Sequence, residues 1–232
     1  MSSRNTFLRS LGETALAAFS ASLETVSLKA GADLYQPDDP VDWVYFPETG
    51  LISLISVLED GEQAESAVVG REGAVGLIEA AGSGVMLYRA VVQIDLTAQR
   101  ATTRDYMVAL NASPSMRRTI AVHLELVIAE SRQMIACHNH HAAPERLAWW
   151  LLECQDRTGL DEFPLTQEFL GAMLGVQRTT VNASARRLKD QGAIRYRRNR
   201  IEVTDREALK RQSCECYETI AGYRRRIEGI NL

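Results

Sequence analysis

Arg178, Thr179, Thr180 and Asn182 stand close together in the chain, and their side chains suit contact with the edges of base pairs. An arginine can donate two parallel hydrogen bonds to guanine, and an asparagine can pair with adenine. Short hydroxyls bond bases or phosphates. Between Arg178 and Arg200 there are seven arginines and one lysine against a single acid, Asp190. A solvated helix face usually mixes signs, so nearly pure base favours a nucleic-acid surface. The other reactive set is sulfur and imidazole. Cys137 and His141 are spaced so that both could reach one metal from a helix. A second pair of ligands is not evident, so Cys137–His141 reads as a polar hinge, and neither metal nor cofactor is expected. Cys214 and Cys216 lack the two-residue spacing of thioredoxin chemistry and read as packing residues, with a thiol redox switch as the alternative. An iron–sulfur cluster would require Cys137, Cys154, Cys214 and Cys216 to be gathered from separate elements.

The arginines need a rigid platform, and the surrounding residues supply one. Thr166 is placed to cap a helix whose Phe169, Leu170, Met173 and Leu174 share a face. Gly175 permits a left-handed turn, Val176 fills the corner, and a second helix follows. That helix turns Val181, Ala185 and Leu188 inward and Arg178, Asn182, Arg186, Arg187 and Lys189 outward. This is the pattern of a helix-turn-helix that enters the major groove. Beyond Gly192, Ile194–Tyr196 and Ile201–Val203 flank Arg197, Arg198, Asn199 and Arg200 as a hairpin, or wing, placed to touch phosphates. Upstream, Pro144 opens a helix whose Glu145–Gln155 segment is apolar on one face, and Trp149 and Trp150 read as packing.

The net charge of −4 hides an asymmetry: residues 1–141 carry −7 and residues 142–232 carry +3. An acidic body with a basic head suggests a sensor or assembly region joined to a DNA-binding one. In the body, residues 6–24 read as a helix with Phe7, Leu8, Leu11, Leu16 and Phe19 toward a core. Five short β-rich runs follow (Thr25–Leu28, Val41–Phe46, Leu51–Val57, Ala64–Val69 and Met86–Ile94), separated by turn signals that include Glu48–Gly50 and Asp60-Gly61. They imply an antiparallel sandwich, jelly roll or barrel. From Ala101 the period is helical again, and Ile120, Leu124, Val127, Ser131, Met134 and His138 form a seam of roughly three heptads. Such a seam pairs with a twin helix or lies on its own β domain. The expected fold class is α+β: residues 1–114 an antiparallel β jelly roll, 115–141 a dimerisation helix and hinge, 142–232 a winged helix-turn-helix.

No apolar run approaches a membrane span and no secretory signal is evident, so a cytoplasmic protein is expected. Gly70–Gly76 lacks the Lys-Ser/Thr of a phosphate-binding loop. With no nucleophile elbow or HExxH motif either, an enzyme is not expected.

A β domain, a long helix and a C-terminal winged helix-turn-helix, in that order, resemble the Crp/Fnr family of bacterial transcription regulators. The likeness covers nearly the whole chain and is most specific over residues 165–194. Val69–Gly73 and Cys214–Tyr217 look like a subgroup of it. The resemblance implies a cyclic-nucleotide-binding-like roll and a homodimer, paired through Ile120, Leu124, Val127 and Met134 on a pseudo-palindrome in double-stranded DNA. RNA polymerase is a further candidate partner. Arg178 matches the family's base-reading arginine, and Thr166 and Thr180 match phosphate-bonding positions. Thr179 and Ala183 replace an acid and a second arginine, which implies a different operator with Asn182 as adenine reader. Gln177, Arg186, Arg198 and Arg200 complete the expected DNA-contact set. Gly73–Ala90 aligns with the cassette that holds a cyclic phosphate, but Ala74, Gly84 and Val85 replace its glutamate, arginine and serine. A buried phosphate without its arginine is poorly compensated, so cyclic AMP is not the expected effector and no other is named. The alternatives are a redox or metal sensor acting through Cys/His residues, a cyclic-nucleotide regulator with a divergent pocket, and a nucleotide sensor that works without DNA.

Overall fold

The structure, a computed structural model, describes residues 3–197 and 200–228. It divides into two compact units, one built from residues up to 57 with 67–127, the other from 58–66 with 128 onward.

The first unit is arranged around one long strand. Its elements are α1 (Thr6–Ser10), α2 (Glu13–Ser20), β1 (Glu24–Leu28), β2 (Asp33–Tyr35), β3 (Trp43–Val57), the end of β4 (Gln63–Val69, whose residues 63–66 belong to the second unit), α3 (Leu77–Ala81), β5 (Arg89–Thr102) and α4 (Thr103–Ala112). β5 pairs antiparallel with β3 along one edge and with β1 and β2 along the other, giving the order β1-β5-β3-β4. Phe46, Ile52, Val92, Leu96 and Ala98 of the long strands meet Phe7, Leu8, Phe19 and Tyr106 of the helices in a continuous core. Asn5 is fully buried yet satisfied. Its carbonyl oxygen caps α1 at Leu8, and its amide donates to the carbonyls of Pro47 (2.8 Å) and Gly73 (2.9 Å).

Three expectations are corrected here. Residues 6–24 form two helices, because Gly12 takes φ +80° between them. The expected runs Val41–Phe46 and Leu51–Val57 are one strand, which starts at Trp43. Glu48–Gly50 marks bulges, with Gly50 at φ +84° where a Cβ would collide with the carbonyls of Ile94 and Asp95. Ile120 is 5% exposed and belongs to this core, with Leu124 packed against it, so the first turns of the seam face their own β domain. The expected Asp60-Gly61 hairpin is present: Gly61 has φ +84° and Leu58 N–H donates to Glu62 O at 2.8 Å.

Pro114 starts the 27-residue α5 (Pro114–His140), and the division between units passes within it. The second unit continues with α6 (Ala143–Thr158), β6 (Glu162–Pro164), α7 (Gln167–Leu174), α8 (Arg178–Asp190), β7 (Ile194–Arg197), β8 (Arg200–Val203), α9 (Arg206–Gln212) and α10 (Cys216–Glu228). α6 is its central post. Glu145 accepts from the Ala142 N–H at its start, Gly159 closes it at φ +72°, and Leu147 through Gln155 are all buried. Trp150 donates its indole N–H to Glu65 at 2.6 Å and packs at a tilt against Phe169, with ring centroids 5.8 Å apart, as expected of a packing residue.

The Glu153 carboxylate has no exposed side-chain surface and accepts from Arg157 of its own helix (3.0 Å) and Arg224 of α10 (2.7 Å). Arg224 also reaches Glu130 of α5 at 2.8 Å. Burial pushes the Glu153 carboxyl up, but the two guanidinium groups outweigh it and hold it below the ordinary glutamate range. Glu153→Ala leaves two arginines without their shared partner and should cost about 3–5 kcal/mol, read as a lower urea midpoint. The contribution is fully present above the unfolded-state glutamate pKa and is lost as pH falls through the lower folded value. An unchanged midpoint at neutral pH would refute a stabilising role for this cluster.

Candidate nucleic-acid interface

The turn between α7 and α8 forms for local reasons. The Thr166 hydroxyl accepts from Phe169 N–H at 3.1 Å and caps α7. Gly175 ends α7 at φ +61°, and Val176 N–H bonds the Gly171 carbonyl, folding the chain back. α8 then starts at Arg178, with Gln177 in the cap position and its side chain making no capping bond. Val181, Ser184, Ala185 and Leu188 are buried, while Arg178, Thr179, Thr180, Asn182, Arg186, Arg187 and Lys189 are exposed. The inward and outward faces are those the periodicity predicts. Ser184 is the added polar member of the inward face; its hydroxyl donates to the Thr180 carbonyl at 2.8 Å.

Sequence reasoning missed Gln167. Its amide nitrogen donates to Asn182 Oδ1 at 2.7 Å, and its oxygen accepts from Arg178 Nε. One residue in the first turn of α7 thus holds both candidate base readers. The Arg178 bond uses Nε and leaves the two terminal nitrogens for the bidentate guanine contact. Asn182 keeps its amide donor and a second lone pair, the set adenine requires. No sequence pattern announces this bridge, because it depends on how the turn sets α7 against α8.

The wing forms as expected, with β7 and β8 antiparallel and β6 added on the outer side of β8. Its charge is less free than the count of arginines implies. Arg195 pairs with Glu202 at 2.7 Å, Arg200 with Glu162 at 3.0 Å, and Arg186 of α8 with Asp190 at 3.8 Å. The acids come from β8, β6 and the end of α8, two of them outside the counted stretch. Arg198 lies outside the described residues.

The cassette-like segment contains α3. Ala74 and Val85 are half-buried and apolar, and Gly84 has φ +75°, a conformation an arginine side chain rarely adopts. Arg89 is engaged with Asp33 at 2.7 Å. Glu79 accepts from the Tyr88 hydroxyl at 2.7 Å; burial and this carboxylate together push the Tyr88 phenol up. The segment's one arginine is therefore already paired with an acid, and no cation stands at position 84.

The expectation that no second ligand pair joins Cys137 and His141 is corrected. Cys214 and Cys216 stand beside them, with the four ligand atoms within 4.8 Å of one another. Cys154 is not among them. It is buried in α6, where desolvation raises its thiol well above the ordinary value.

Residues 145–212 match the family description "Crp-like helix-turn-helix domain". A CRP-like cAMP-activated global transcriptional regulator of Mycobacterium tuberculosis (strain CDC 1551 / Oshkosh) is 25% identical over 213 residues, covering 86% of this chain and 92% of that protein. Among solved structures, a CRP/FNR-family transcriptional regulator from Thermus thermophilus superposes with a TM-score of 0.66 at 26% identity, covering 82% of this chain and 98% of the other. FixK2 of Bradyrhizobium japonicum reaches 0.69 at 21% identity, covering 83% and 98%, and supports the fold. Residues 145–212 thus form a Crp-like helix-turn-helix domain, and over most of its length the chain is similar to Crp/Fnr regulators. It is a DNA-binding transcriptional regulator. The regulator has, among its described residues, no helix long and apolar enough to cross a membrane.

Proposed function

We propose that the regulator binds a pseudo-palindromic operator as a homodimer without needing cyclic AMP. In this reading, residues 1–114 form a sensor roll, 115–141 a pairing helix and hinge, and 142–232 the DNA-binding head. Each head places α8 in a major groove, with Arg178, Thr179 and Asn182 at base edges. Thr166, Gln177, Thr180, Arg186, Arg198 and Arg200 lie along the phosphates. The observation that carries the reading is the Gln167 bridge, which orders Arg178 and Asn182 before DNA arrives. Pre-ordering favours specific contacts because less side-chain entropy is lost on binding.

Pairing is supported by the exposed apolar face of α5. Ile128 and Ile135 are 47% and 65% exposed and one heptad apart. Val127 and Met134, half-buried in the single chain, flank them. Ile120 does not contribute, since it is spent on the β-domain core. Ile135→Asp should leave the fold intact and dissociate the dimer in sedimentation equilibrium. A variant still dimeric at micromolar concentration would place the interface elsewhere.

Independence from cyclic AMP rests on Ala74, Gly84 and Val85, which replace the cassette's glutamate, arginine and serine, and on Arg89, the one cation of the Gly73–Ala90 segment, being engaged with Asp33. The relative from M. tuberculosis is cAMP-activated by its name, so the comparison is direct. Fluorescence anisotropy on the DNA upstream of the protein's own gene, against random DNA, should show specific binding with no nucleotide added. Specific binding that appears only with cyclic AMP would overturn this part of the reading.

Arg178→Ala should cost about 1–3 kcal/mol on specific DNA and relax one base position. Gln167→Ala should lose about 0.5–1.5 kcal/mol on the same DNA and leave random-DNA binding unchanged. Equal losses on specific and random DNA would remove both residues from sequence reading.

A further inference from the structure

We propose that Cys137, His141, Cys214 and Cys216 form a closed, four-ligand site for a zinc-class divalent cation. The first two come from the C-terminal end of α5 and the turn after it. The others flank Glu215 in the turn from α9 to α10. His141 N–H still donates to the Cys137 carbonyl at 2.9 Å, so the helical register that puts both side chains on one face persists to the ligand. Chain segments more than 70 residues apart therefore converge, with Cys137, Cys214 and Cys216 all buried.

The spacing fits a mononuclear tetrahedral ion. Cys137 Sγ and Cys214 Sγ are 3.6 Å apart, Cys216 Sγ and His141 Nδ1 are 3.5 Å apart, and no pair exceeds 4.8 Å. Bonds of about 2.3 Å to sulfur and 2.0–2.1 Å to nitrogen give tetrahedral edges of about 3.5–3.8 Å. An iron–sulfur cluster, whose thiolates radiate from several separated metal atoms, needs its ligands farther apart. Three thiolates and one imidazole are a closed structural set for zinc, with no position left for water or substrate.

Groups around the four ligands are arranged as a metal requires. His141 Nε2 lies 3.2 Å from Glu215 Oε2, which places the ring proton on Nε2 and turns the Nδ1 lone pair toward the sulfurs. The Gln133 amide donates to Cys216 Sγ at 3.1 Å. Arg146 is close enough to Cys137 and Cys214 to interact electrostatically with both, and its Nε is buried without a hydrogen-bond partner. Zinc entry expels the three thiol protons and leaves the ion and its ligands with a net charge of −1. The Arg146 guanidinium opposes that charge. A disulfide between Cys137 and Cys214 would use neither the oriented imidazole nor Cys216.

The bound ion would cross-link the end of α5, just before the hinge that leads into α6, to the start of α10. Because the ligands lie far apart in the chain, binding free energy is also folding free energy for this unit.

The test uses the full-length protein, purified under reducing conditions and without a histidine tag. Elemental analysis should find one zinc per chain. Cobalt(II) replacement should give the intense visible bands of a tetrahedral ion and near-ultraviolet thiolate-to-cobalt charge transfer. Cys216→Ser should abolish stoichiometric retention. Should that variant fail to fold, Glu215→Gln decides the matter, because Glu215 is exposed and binds no metal itself. It should keep the far-ultraviolet dichroism of the parent and lower zinc affinity about 10–100-fold in chelator competition. Folded protein that holds no zinc and gives only weak octahedral cobalt bands would overturn the proposal. A Cys137–Cys214 disulfide in metal-free protein, an iron–sulfur chromophore, or Glu215→Gln with unchanged zinc affinity would do the same.

Discussion

The Glu153 carboxylate is enclosed on all sides, and enclosure sets a condition that the second unit must meet. An ionised group removed from water costs several kcal/mol unless its hydrogen-bonding capacity is met. Arg157 meets part of that need from within α6, and Arg224 meets the rest only if α10 is laid across the same place. Arg224 in turn engages Glu130 on α5. The consecutive helices α5 and α6 and the distant α10 are thereby held in one register. Arg206 adds a second tie, bonding Asp156 at 2.6 Å and the Tyr217 hydroxyl at 2.7 Å. Apolar packing tolerates sliding, whereas bidentate guanidinium contacts do not. The placement of α10 therefore has a directional cause, and it carries Cys214 and Cys216 to the end of α5.

The exposed face of α8 follows the opposite rule. There the cations stay hydrated, and Arg178 is ordered without being buried. Gln167 is neutral, so it fixes Arg178 without cancelling its charge. At the wing, Glu162 and Glu202 do reduce the local positive charge. In the proposed reading the contrast divides labour between base contacts, which need orientation, and phosphate contacts, which need charge. An exposed pair such as Arg200–Glu162 holds its partners weakly and can exchange the carboxylate for a phosphate at little cost.

What could be read from the chain followed the range of the interactions involved. The head was legible because its signals are local: a threonine cap at Thr166, a glycine turn at Gly175, and a helical period that separates Val181 and Leu188 from Arg178 and Asn182. Four of the five strands of the body were legible as β runs, but β2 (Asp33–Tyr35) was not, and neither was the joining of two runs into β3. Glu48–Gly50 has turn chemistry and is used instead as a bulge, a choice made by the pairing of β3 with β5. The seam on α5 was half legible. Its period is real, yet period alone does not say which protein surface receives it, and Ile120 went to the β domain while Ile135 stayed exposed. The thiol cluster was illegible, because Cys137 and Cys214 are brought together only by the packing of α10.

The same logic bears on the body of the regulator. The Gly73–Ala90 segment shares the core of the roll, where Val75, Leu77, Met86 and Ala90 pack with Phe46, Ile52, Val92 and Leu96. That segment has filled with groups that satisfy one another: Tyr88 with Glu79, Arg89 with Asp33, and Tyr106 with the Leu77 carbonyl at 3.0 Å. A phosphate would have to compete with Asp33 for Arg89, the one cation of the segment. If, as proposed, cyclic AMP is not the signal, the end of α5, where Cys137 and His141 meet the start of α10, is the place where a local change would be felt by α6 and everything packed on it.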